Sequence, residues 1–135
     1  MKELKDFSRY LGIPYQAKGR DFHHCDCWGL CRLFLKEEFG IEINDYSQYG
    51  VTDLEEIKRV AEEERKKWIK VESLNPGDVV EIPILRRDFH VGVISYPNYI
   101  LHITNESFSE MSKLDHPLIK RSLREKRFWR HASLA

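Results

Sequence analysis

The sequence predicts an α+β domain, on three observations. Apolar residues recur at helical spacing as far as Trp68, the stretch after Asn75 breaks into short runs of β-branched and aromatic residues parted by turn formers, and no repeat or low-complexity linker intervenes. Helices first and a meandering sheet second is an α+β order. A chain of 135 residues is long enough for one domain with a proper core and too short for two, so residues 1–135 are read as a single domain.

The elements follow in order. Leu4, Phe7 and Leu11 stand at helical spacing before Gly12, which predicts a short amphipathic helix with a glycine cap. GIPYQAKGRDFHHC reads as loop. Asp26 can cap a helix that begins at Cys27, keeps Leu30, Cys31, Phe34, Leu35 and Phe39 to one side, and stops at Gly40. Thr52 and Glu55 form a capping box for a further helix, with Leu54, Ile57, Val60, Ala61 and Trp68 inward and EEERKK as its solvated face. PGDVVEI, FHVGVIS and YILHIT predict three antiparallel strands, and SFSEM and KRFWRH two more around a polar connection.

Composition excludes several classes of function. The chain carries 22 basic and 22 acidic side chains, a balance with no bias toward nucleic acid or anionic lipid. No segment approaches the roughly 20 apolar residues of a membrane span, and MKELKDFSRYLG has no apolar run of signal-peptide length. A soluble chain made in the cytoplasm is expected. Its three cysteines are an odd number and lie too close in sequence to tie distant parts together, so reduced thiols are expected.

All three fall in GRDFHHCDCWGLCRLFL, together with His23 and His24. A structural zinc site commonly uses paired ligands such as C-x2-C, whereas the spacings here are C-x-C and C-x3-C. No metal is expected, though a zinc role for His23, His24 and Cys25 stays open. Cys27 and Cys31, one helical turn apart, are poorly placed for a disulfide. Cys27 alone occupies the first turn of a helix behind a capping residue, where unpaired N–H groups and the helix dipole favour a thiolate below the free pKa of about 8.5. The plainer alternative is a small buried apolar residue, which suits Cys31 well, while Cys25 is expected in an exposed loop.

A nucleophilic thiol needs a base, and the base an orienting partner. His90 opens HVGVIS and His102 lies in YILHIT. A three-residue loop over Tyr96-Pro97-Asn98 would set Gly92 opposite His102 and make the two histidines diagonal neighbours on one face, roughly 7 Å apart at Cβ. Gly92 would then leave room for a ring or a substrate. A two-residue turn would put the histidines on opposite faces.

GIPY, DCWGL at a helix start, PGDVV, HVGVIS and YILHI, in that order, resemble the NlpC family of papain-like cysteine peptidases, which cleave cell-wall peptides. The resemblance runs from about Gly12 to Thr104, and FWRH is similar to the family's terminal strand. It implies a papain-like NlpC fold with Cys27 as nucleophile, His90 as general base and His102 as the residue that orients it. It also implies an oxyanion or substrate-binding set of Tyr15, Asp26 and Trp28, although Tyr15 is equally explained as a half-buried ring behind Pro14. Trp28 stands where many members have a serine that holds the substrate's amino end, and QAKGRDF replaces their usual tryptophan-glycine pair. Pro76, Gly77 and Asp78 look structural.

The implied reaction is hydrolysis of a peptidoglycan stem peptide after D-glutamate and before a diamino acid, without a cofactor. DCWGL followed by RLFLKEEFGIEI is similar to the branch found in bacteriophage tails and tail-like particles, which implies tail-tip proteins as partners and a virion-tail or prophage origin. Two rivals stay open. One is a tail-tip assembly or binding module with little turnover, whose basic IKRSLREKRFWRH docks an acidic partner unless it is a solvated strand edge. The other is an amidase or acyltransferase on the same Cys-His-His set.

Overall fold

A computed structural model describes residues 6–45, 54–82, 90–104, 107–125 and 127–135. Among these, α1 (Cys27–Phe39), α2 (Leu54–Arg65) and α3 (Pro117–Ser122) accompany six strands, β1 (Trp68–Val71), β2 (Val79–Glu81), β3 (Val91–Tyr96), β4 (Tyr99–His102), β5 (Glu110–Lys113) and β6 (Phe128–His131). The strands form one sheet in the order β1-β6-β2-β3-β4-β5, antiparallel at every pairing. The α+β class expected from the sequence is the class observed.

Helix α1 begins and ends where the sequence placed it. The Asp26 side chain accepts the Gly29 N–H and Gly40, at φ 66°, closes the helix through its N–H to Leu35 and Lys36. Leu30, Cys31, Phe34 and Leu35 are fully buried, and Leu33 joins them, while Phe39 is 37% exposed rather than facing inward. A methyl group on Gly29 would lie 2.1 Å from the Gly19 carbonyl oxygen. The glycine of DCWGL is therefore the residue that lets the first turn of α1 lie against the preceding loop.

The sheet is covered on both faces. Val91, Val93, Leu101 and Ile103 pack with the α1 residues in one core, while Val80, Ile94, Ile100, Phe128 and Ile119 of α3 form a second. Along β3 and β4, neighbours alternate between these cores, as strand geometry requires.

Several elements differ from expectation. Among the described residues before Gly12 there is a 3-10 turn, Ser8–Tyr10, because Tyr10 is drawn fully into the core instead of continuing a helix; Leu4 lies outside the described residues. Thr52 also lies outside them. Trp68 is not the end of α2 but the first residue of β1, and its indole N–H donates to Glu64 at 3.2 Å across the turn. The connection after β5 contains α3. FWRH is no solvated edge, since β6 lies between β1 and β2, and Arg130 there makes two 2.9 Å bonds to the fully buried Asp78 carboxylate. Asp78 also accepts the Asn75 N–H at 2.7 Å, the local bond expected of a PGD turn.

Candidate active site

The hairpin β3-β4 decides where the histidines point. Its turn has two residues, Pro97 and Asn98, with Tyr96 opposite Tyr99. By itself that turn would separate the histidines. Ser95, however, is an extra residue, and Ile94 pairs with Ile100 and Val93 with Leu101. The bulge shifts the register back by one. Gly92 therefore falls opposite His102, and the His90 and His102 rings meet edge to face, with centroids 6.0 Å apart at 74°. The space beside Gly92 is not left for a substrate: a methyl group there would lie 2.7 Å from Ile100 Cδ1. Ile100 fills the volume that the glycine vacates.

Both histidines are 7% exposed. Burial lowers the His90 pKa to about 4, with a further push from His102. Burial also lowers that of His102, partly offset by Glu110. Both rings are neutral near pH 7. His90 Nε2 and His102 Nδ1 are buried without a hydrogen-bond partner, whereas His102 Nε2 lies 2.9 Å from Ser112 Oγ.

At the start of β3 the Val91 N–H, next in the chain to His90, is directed at the Cys27 sulfur. Burial nevertheless pushes the Cys27 thiol up to about 11, and the N–H groups of Val91 and of the helix start offset only part of that. The low thiolate pKa expected from the helix N-terminus is thus not what the fold produces. Desolvation outweighs the terminal N–H groups, one of which is already taken by Asp26. Cys27 still titrates lowest of the three, because burial raises Cys25 to about 12 and Cys31 well above the ordinary value. Cys25 is fully buried, not exposed, since Gly19 packs on its backbone.

The remaining expected residues have structural partners. Asp26 Oδ1 accepts from Gly29 at 2.8 Å and from Arg20 Nη1 at 2.7 Å, and its Oδ2 accepts the Lys18 N–H at 2.9 Å. Arg20 is itself tied to Asp45 at 2.9 Å. Trp28 donates its indole N–H to the Asn44 carbonyl at 2.8 Å. Tyr15 is half-buried against the α1 core, and its backbone N–H donates to Ser107 at 3.0 Å. Asp21 Oδ1 accepts the N–H groups of His23 and His24 at 2.9 and 3.3 Å. Among the described residues no group of three or more His, Cys, Asp or Glu could hold a metal ion, so the zinc reading of His23, His24 and Cys25 finds no ligand set. No helix among them is long and apolar enough to cross a membrane.

Arg20, Ser112 and Glu110 were not singled out from the sequence. Glu110 and Ser112 alternate along SEMSK, and extending the hairpin register one strand further would have brought them to His102.

A model of the NlpC/P60 family matches residues 12–128. The chain belongs to the NlpC/P60 family. Among solved structures, it is similar to the NlpC/p60 domain of the peptidoglycan hydrolase SagA, at 18% identity and a TM-score of 0.56 over 90% of this chain and 89% of that one. It is also similar to an NLP/P60-family protein described as similar to lipoprotein, from Staphylococcus aureus subsp. aureus Mu50, at 19% identity and a TM-score of 0.58; the match covers 92% of this chain and 38% of that one. At these identities the likeness is one of fold. No curated protein matches the sequence significantly. The NlpC/P60 match spans α1, the β3-β4 hairpin and β5, so every residue of the cluster lies within it.

Proposed function

We propose that this NlpC/P60 protein is a cysteine peptidase acting on peptidoglycan stem peptides, with Cys27 as nucleophile, His90 as general base and His102 orienting His90. The observation that carries the reading is the edge-to-face histidine pair, 6.0 Å between centroids, at the end of β3 where the next N–H meets the Cys27 sulfur. A thiol near 11 and an imidazole near 4 are both neutral at rest. Proton transfer therefore accompanies attack instead of preceding it.

In the first step the Cys27 S–H proton passes to His90 as sulfur bonds to the scissile carbonyl carbon. His90 then returns that proton to the leaving amine as the C–N bond breaks, leaving a thioester. Water adds to the thioester, gives a proton to His90, and displaces the Cys27 thiolate, which takes the proton back. The likeness to a domain of a peptidoglycan hydrolase favours a cell-wall substrate. The bond we assign is that between D-glutamate and a diamino acid, and the setting a phage tail or tail-like particle. Asp26 and Trp28 already have protein partners, so substrate recognition differs here from members that hold the substrate's amino end with a serine.

Incubation with a synthetic stem peptide in 18O water, with masses of both products, tests this. One 18O in the new carboxyl of D-glutamate and a free diamino-acid amine is the expected result. An amide or ester to an added acceptor would support acyl transfer, and no cleavage of peptide or polymer would support the binding-module reading.

A further inference from the structure

The reaction written above leaves open what holds the departing half of the substrate, since Asp26 and Trp28 are taken up by protein partners. His90 protonates the leaving amine, so the diamino acid lies on the histidine side of the thiol. The sheet continues in that direction from β3 through β4 to β5. Glu110 is directly opposite His102 in the β4-β5 ladder, and its Oε1 lies 3.4 Å from His102 Nε2. The Glu110 side chain is nevertheless 65% exposed. Burial lowers the His102 pKa, and a neutral ring does not cancel the charge of the carboxylate.

Phe108 faces the same way. Ser109 is buried and Met111 packs on the α1 core, so the alternate residues Phe108 and Glu110 project from the opposite face. Phe108 is 61% exposed, the most exposed large apolar side chain among the described residues. Its backbone is nonetheless held in place. Phe108 pairs with the exposed Pro14, the Tyr15 N–H donates to the Ser107 carbonyl at 3.0 Å, and the Ser109 N–H donates to that of Ile13 at 2.9 Å. An aromatic ring fixed in water beside a carboxylate matches a side chain with an apolar stem and a cationic tip.

We propose that Phe108 and Glu110 form the subsite for the diamino acid, its methylene stem on the Phe108 ring and its terminal ammonium on the Glu110 carboxylate, and that this subsite selects a lysine-type residue over diaminopimelate. Reach supports the assignment. Two strand spacings of about 4.8 Å and an offset of two residues put Glu110 about 10–12 Å from His90. A four-carbon stem spans that distance, with about 7 Å between its two amines and about 3 Å of hydrogen bond at each end. Diaminopimelate has the same stem but carries a carboxylate beside its terminal amine, and the Glu110 carboxylate repels it. The inference rests on His90 being the base that protonates the leaving amine.

The test uses the full chain and three synthetic stem tripeptides, which end in L-lysine, in meso-diaminopimelate, or in L-norleucine, the lysine stem without its amine. Hydrolysis gives kcat/KM for wild type, Glu110→Gln, Glu110→Lys and Phe108→Ala, and titration calorimetry gives Kd for the same set in a Cys27→Ala background. Wild type is expected to prefer lysine to norleucine by about 2- to 5-fold, the range of an exposed ion pair, and lysine to diaminopimelate by at least as much. Glu110→Gln should bring the lysine-to-norleucine ratio near one, and Glu110→Lys should reverse the preference for lysine over diaminopimelate. Phe108→Ala should weaken lysine and norleucine alike by about 4-fold, the value of one buried methylene, with their ratio kept. A wild-type ratio near one, a ratio that survives Glu110→Gln, or a Phe108→Ala protein that behaves as wild type overturns the proposal. Lysine-selective binding without hydrolysis of any peptide overturns the catalytic reading and supports the subsite, and neither hydrolysis nor selective binding overturns both.

Discussion

Asp26 is the residue on which the start of α1 depends, and its replacement separates a structural from a substrate-binding role. Asp26→Ala removes the cap on Gly29, a loss of about 1 kcal/mol. It also removes a 2.7 Å ion pair whose side chains, Arg20 and Asp26, are only 15% and 16% exposed; a charge-assisted hydrogen bond of that kind contributes about 1.5–3 kcal/mol. Because Arg20 keeps Asp45 at 2.9 Å, the lower part of that range applies, and the total is about 3 kcal/mol. Asp26→Asn retains an oxygen for the Gly29 N–H and gives up the ion pair and the exposed Lys18 N–H bond to Oδ2, so about 1–2 kcal/mol is expected. Urea unfolding at pH 7 with an unchanged m-value measures both. A loss below 1 kcal/mol for Asp26→Ala, or an equal loss for the two variants, would refute the capping argument. A several-fold rise in KM for Asp26→Asn would show that the carboxylate reaches substrate as well.

Gly92→Ala should cost about 1–3 kcal/mol, the range for overpacking, because its methyl would lie 2.7 Å from the fully buried Ile100; a thermal melt like that of wild type would contradict this. Iodoacetamide should label Cys27 ahead of Cys25 and Cys31, at a rate that rises with pH through 7 to 9, since burial holds all three thiols up and Cys27 least. Rapid labelling at pH 5, or first labelling of Cys25, would count against it. His90 has a pKa near 4 in the fold against an ordinary 6.5, so between those values the unfolded chain binds a proton that the folded chain does not. Stability should therefore be full above pH 6.5 and fall as pH drops toward 4, by about 3 kcal/mol from this residue. His90→Gln should remove that share of the slope; an unchanged slope would mean that His90 is not buried as a neutral ring.

Helix α1 was legible because its start and stop are local chemistry: an acceptor at Asp26, a left-handed residue at Gly40, and apolar spacing between them. The histidine pairing was legible for an incomplete reason. A three-residue loop gives the right register from sequence, whereas the fold uses a two-residue turn and restores the register with the Ser95 bulge, which no propensity announces. What was not legible is long-range. The Asp78-Arg130 pair joins residues 52 positions apart, and Glu110 and Ser112 reach His102 only through strand pairing. β1 escaped notice because WIKV directly follows a helical pattern whose apolar spacing includes Trp68. The thiol pKa is not legible because a helix terminus is visible in sequence and desolvation is not.

The central claim is covalent catalysis by Cys27 on cell-wall peptide, and digestion of purified peptidoglycan tests it most directly. Sacculi are incubated at pH 7 with wild type, Cys27→Ala and His90→Ala, and the released muropeptides are weighed. The account predicts fragments with intact sugars and a newly freed diamino-acid amine from wild type alone, with neither variant releasing them. Equal release by Cys27→Ala, or fragments cut in the glycan, would contradict it.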